Sequence, residues 1–108
     1  MLISETRTLI EIKSILSLEK EAYFPGVFSQ RAIDQLKIIE KLLKEGYKVV
    51  YILVSLNKAV KRVCINKAFK EYYSLFVACM NRGMLLKGYK ISIKENGPII
   101  SGEIDILV

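Results

Sequence analysis

The chain has 108 residues, 52% of them apolar and 26% charged, a balance that fits one globular domain and excludes a disordered chain. Its formal charge of +6 suits a polyanionic partner, because clustered Lys and Arg displace counterions from phosphates, although charge alone names no ligand. Histidine is absent, which excludes Ser-His-Asp and Cys-His nucleophile systems, His-ligated metals and imidazole acid–base chemistry.

The chain opens with an expected hairpin, Met1 to Ser4 and Thr8 to Ile15, turning around Glu5-Thr6. A loop containing Phe24-Pro25-Gly26 follows. Ser29 suits the N-cap of a helix that carries Ile33, Leu36, Ile39 and Leu43 at three- and four-residue spacing and stops before Gly46. Lys48 to Ser55 is a continuous apolar run of strand length, the pattern of a strand buried on both faces. A loop rich in positive charge comes next, with Lys58, Lys61, Arg62 and Lys67. The spacing predicts a second helix over Lys67 to Arg82, with Phe69, Tyr72, Tyr73, Phe76 and Cys79 or Met80 inward, stopped at Gly83. Leu85 to Lys94 alternates as a strand, Asn96-Gly97 marks a tight turn, and Ile99 to Val108 is its expected return strand. The order β-β-α-β-α-β-β predicts an α/β fold, a mixed sheet with parallel crossovers flanked by two helices, in one domain spanning 1–108.

The stretch Thr8-Leu9-Ile10-Glu11-Ile12-Lys13-Ser14 carries the chemistry. Strand side chains alternate, so Glu11 and Lys13 leave the sheet on one face, with Ile10 and Ile12 expected to point the other way, into a core. A Glu-x-Lys pair on one strand is the half-site of metal-dependent nucleases of the PD-(D/E)xK type. The same pair on a wet strand is a solvated ion pair worth little. The two cysteines, Cys64 and Cys79, are too few and too far apart for a zinc site, and Cys79 reads as a buried core thiol. Tyr51, Tyr72, Tyr73 and Tyr89 fall at strand or helix spacing and read as packing residues rather than base-stacking platforms. The first residues lack a basic segment followed by an apolar run, and no apolar run reaches bilayer length, so a cytoplasmic location without membrane contact is expected.

The run Leu9-Ile10-Glu11-Ile12-Lys13-Ser14, followed by Ala22-Tyr23-Phe24-Pro25-Gly26-Val27-Phe28-Ser29-Gln30-Arg31-Ala32, resembles the sugar fermentation stimulation protein A (SfsA) family. That family shows an Ile-Glu-Val-Lys-Ser block and, after a short spacer, a Phe-Pro-Asp block ending in Arg-Gly. The resemblance continues through Leu36, the Glu45-Gly46-Tyr47 corner and Ile65-Asn66-Lys67-Ala68-Phe69. It implies a restriction-endonuclease-like fold and a DNA- or RNA-binding protein with metal-dependent nuclease activity. It also implies an N-terminal oligonucleotide-binding barrel, expected to be absent here, and an acidic residue on the strand before the Glu-x-Lys strand. No aspartate precedes Asp34, Gly26 stands where the family has Asp, and Ala32 stands where it has Gly.

On that resemblance, Glu11 and the Ile12 carbonyl would hold Mg²⁺ or Mn²⁺, and Lys13 would face the attacking water and the developing phosphorane charge. Ser29 and Arg31 would contact a phosphate together with the amides that open the first helix. Their plainer roles are a helix cap and a surface arginine. The rival expectation is a catalytically degenerate domain that binds nucleic acid through Lys58, Lys61, Arg62 and Lys67 without cutting it. A third makes the chain an assembly partner, a homo-oligomer or one completed by a separate polypeptide that pairs with the Met1 to Ser4 edge.

Overall fold

A computed structural model describes residues 2–108, so the hairpin start predicted at Met1 lies outside the described residues. Strand β1 (Leu2–Ile3) pairs antiparallel with β2 (Thr8–Ser14). After β3 (Glu21–Phe24) comes helix α1 (Gln30–Lys44), then β4 (Lys48–Ser55), β5 (Arg62–Ile65) and helix α2 (Lys70–Asn81). The chain ends in β6 (Leu85–Lys94), β7 (Gly97–Glu103) and β8 (Asp105–Leu107). The α/β class, the mixed sheet and the two helices are those read from the sequence.

Five strands form the main sheet in the order β1-β2-β4-β6-β7, with β2, β4 and β6 parallel. Each parallel step needs a crossover, and α1 and α2 supply two of them on the same face of the sheet. Tyr51 of β4 meets the Phe76 ring of α2 edge-on, centroids 5.4 Å apart, and Lys13 of β2 hydrogen-bonds Gln35 of α1. Val49, Tyr51 and Leu53 therefore belong to the covered face, and all three are fully buried. Ile33, Leu36 and Ile39 of α1 and Tyr72, Phe76 and Cys79 of α2 complete this core. Cys79 is a buried thiol, as read from the sequence; burial pushes its pKa up to about 11.

Two corrections follow. Ile12 pairs in register with Ile52 on the opposite face and is 57% exposed, so it does not point into the core. Alternation separates the two faces of β2 but cannot say which one the helices cover, and they cover that of Glu11 and Lys13. The second correction is a sheet that the sequence did not suggest, β3-β5-β8, with both pairings parallel. Arg62 therefore opens a strand rather than lying in a basic loop, and the second helix begins at Lys70 rather than Lys67. The return strand likewise splits: β7 leaves β6 after Glu103, Ile104 is buried, and β8 joins β5.

Gly88 on β6 lies where the two sheets meet. Its carbonyl accepts the Ile104 N–H at 2.9 Å, and a Cβ there would stand 2.8 Å from the Ile104 carbonyl oxygen. Only glycine lets β6 and the β7–β8 junction come this close.

Candidate functional site

The parallel strands β2 and β4 end beside the start of α1, the region where open α/β sheets bind their ligands. Seven residues of alternating pattern hold β2 against β4, with Glu11 opposite Tyr51 and Lys13 opposite Leu53. Glu11 and Lys13 thus emerge side by side on the covered face, as the alternation predicts, with Lys13 Nζ 3.1 Å from Glu11 Oε1. Both side chains are only 24% exposed, so α1 takes them partly out of water. Lys13 Nζ also donates to Gln35 Oε1, an interaction the sequence reading missed. Its signal was present: Gln35 lies four residues after Arg31 and shares its helix face.

Beneath this group the Tyr51 and Tyr72 hydroxyls lie 3.4 Å apart in the core. Burial pushes the Tyr51 pKa up to about 12, and that of Tyr72 is raised as well. Neither phenol is positioned to lose a proton at neutral pH. Both act as packing residues, in line with the sequence reading.

Ser29 caps α1, its Oγ accepting the Ala32 N–H at 3.1 Å. That leaves its own O–H available as a donor. Arg31, one residue into the helix, is exposed and makes no ion pair among the described residues. Lys13, Ser29, Arg31 and Gln35 all line one cleft of about 570 Å³ at the C-terminal end of β2. Three of these four were singled out from the sequence.

The basic residues around β5 are placed elsewhere, and none of Lys58, Lys61 and Arg62 lines this cleft. Lys58 lies in the turn after β4, and the Lys61 backbone bridges Lys20 and Asp105. Arg62 pairs with Glu21 at 3.1 Å across β3 and β5, at the opposite end of β3 from the cleft-lining Phe24. Lys67 sits over the Tyr73 ring, 5.5 Å from its centroid.

The divalent ion that the Glu-x-Lys pattern implies asks more of the donor set than these residues supply. Mg²⁺ demands a near-octahedral shell of hard oxygens. Among the described residues no group of three or more His, Cys, Asp or Glu comes together. Glu11 is the single carboxylate of the site and is already paired with Lys13. Leu2, on β1, lines the small hollow that Glu11 also lines, and the other residues around that hollow add no second carboxylate. These residues do not by themselves make a protein-held Mg²⁺ or Mn²⁺ site.

Comparison with solved proteins supports the same architecture. The chain is similar to the structure of Pyrococcus furiosus SfsA in complex with Ca²⁺, with a TM-score of 0.77 at 19% identity. The likeness covers 94% of this chain and 45% of that one, so this chain spans less than half the length of the solved protein. No helix among the described residues is long and apolar enough to cross a membrane. The family described as the sugar fermentation stimulation protein RE domain matches residues 1–97. With nine-tenths of its length matched, and with the restriction-endonuclease-like fold to go with it, the chain belongs to the SfsA family.

Proposed function

We propose that this chain binds nucleic acid through its phosphates, at the cleft where Lys13, Ser29, Arg31 and Gln35 meet. One observation carries the reading: Lys13, Ser29 and Arg31 line one cleft at the end of β2, beside the N-terminus of a 15-residue helix. Helix N-termini attract anions, and Arg and Lys bind phosphate oxygens in complementary ways. The charge of +6 favours the encounter with a polyanion. Lys58, Lys61 and Arg62 lie outside the cleft and would extend the footprint along the backbone of a longer strand.

A second reading, Mg²⁺- or Mn²⁺-dependent cleavage of DNA or RNA, is favoured by the side-by-side emergence of Glu11 and Lys13 from one strand. In it Glu11 and the Ile12 carbonyl would hold the ion, and a further carboxylate would be required that the described residues do not bring to the site.

A single experiment separates the two. Labelled DNA and RNA are incubated with the wild type, Glu11→Ala and Lys13→Ala, with Mg²⁺, Mn²⁺ or EDTA, and both binding and strand cleavage are read. The binding reading expects retention without cleavage, at least tenfold weaker for Lys13→Ala. Metal-dependent cutting that both substitutions abolish would establish the second reading instead. Equal retention by all three proteins would remove Lys13 from the binding reading, and cutting that both substitutions leave intact, or no cutting with either metal, would remove the second.

A further inference from the structure

Resting on the phosphate-binding reading above, we propose that the cleft beside Lys13 receives an unpaired nucleobase, so that the chain prefers single-stranded nucleic acid to duplex. The cleft is far larger than one phosphate group requires. At about 570 Å³ it falls within the roughly 300–1,000 Å³ range of sites that enclose small organic ligands. Its polar groups, Lys13, Ser29, Arg31 and Gln35, are matched by apolar and aromatic walls from Ile15, Leu16, Tyr23, Phe24, Pro25 and Val27. A site with charge on one side and apolar surface on the other fits a nucleotide, whose phosphate and base differ in the same way.

The surroundings point in the same direction. Leu16 is 96% exposed, Val27 75% and Tyr23 60%, and Leu18 and Phe28 stand exposed nearby. Such surface is a poor match for the charged ribs of a duplex, which keep the base faces hidden. It suits a strand whose bases are already free, since every base carries a π-face that stacks on an aromatic ring. Tyr23 is the residue placed for that contact. Tyr51 and Tyr72 are consumed by the core, whereas Tyr23 lines both the cleft and a neighbouring hollow of about 390 Å³ beside Asn66 and Lys67. Tyr23 therefore borders two recesses that successive nucleotides can occupy.

The test is fluorescence anisotropy on the full chain with three labelled ligands of equal length, made in DNA and in RNA form. They are a single strand, the same strand in a duplex, and an abasic strand with the same number of phosphates. The single strand is expected to bind at least tenfold more tightly than the other two. Tyr23→Ala should erase about tenfold of that advantage and Tyr23→Phe should keep it, while abasic binding stays unchanged in both. Equal affinity for the single and abasic strands would overturn the base receptor and leave the phosphate reading intact. Binding to none of the three would overturn both readings. The wild-type comparison needs no variant, so it decides even if Tyr23→Ala folds poorly.

Discussion

The two faces of the five-stranded sheet differ in what they cover and in what they leave to solvent. The face under α1 and α2 is a packed core over Val49, Tyr51 and Leu53, yet its β2 end carries Glu11 and Lys13 half-buried. The opposite face is open, with Ile12 and Leu85 each 57% exposed beside Lys87, and Val50, Ile52 and Val54 half-buried between them. Partly desolvating an ion pair gains little stability and often costs some. Glu11 and Lys13 are retained beside α1 while Ile12 faces outward, a placement that adds little stability and fits the proposed phosphate site.

Substitutions on each face sharpen this contrast. The largest effect is expected from Phe76→Ala, which empties the centre of the covered face; a loss of about 3–5 kcal/mol in chemical denaturation is expected. A loss below about 1 kcal/mol would mean that the core is not centred there. Alkaline pH should weaken the same face. Cys79 titrates near 11 when folded against 9.0 as the ordinary thiol value, and Tyr51 near 12 against 10.0. In both cases the unfolded chain loses its proton first, so stability falls as pH rises, from about 9 to 11 for Cys79 and from about 10 to 12 for Tyr51. Cys79→Ala should therefore delay the onset of alkaline melting by about one pH unit, removing a term on the order of 2 kcal/mol at pH 11. An unchanged onset would show that the thiol is not the group responsible.

Leu2→Asp places a second carboxylate on the covered side, in the hollow beside Glu11. Mn²⁺ affinity measured by calorimetry is expected to rise at least tenfold, and no rise would mean that Glu11 cannot share an ion with β1. The smallest effect belongs to the open face. Ile12→Thr keeps the β-branch and should change stability by less than about 0.5 kcal/mol. A loss of 2 kcal/mol or more would show that this face is covered in solution.

Much of the main sheet was legible in the sequence because its elements are long and regular. Ile33, Leu36 and Ile39 repeat with helical period, Lys48–Ser55 is an unbroken apolar run, and Asn96-Gly97 marks its turn. The second sheet was not legible. Its strands are three or four residues long and pair across large sequence separations, so local pattern says little about them. Val63 and Ile65 do alternate inward, but Lys61 and Arg62 beside them favoured a basic loop. At the site, the strand period placed Glu11 and Lys13 together, whereas Gln35 depended on where α1 crosses β2, a tertiary fact. Arg62 could not be seen to be paired, because Glu21 lies 41 residues away.

Gly88 has a mechanical consequence at a distance. Because β6 has no side chain there, the chain can turn past Ile104 and clip β8 onto β5, and β5 in turn braces the strand that presents Tyr23 and Phe24. The tail thus acts as a clasp, joined through β5 to the strand at the far mouth of the cleft. A methyl group at position 88 would be expected to loosen Tyr23 without touching a single residue that lines the cleft.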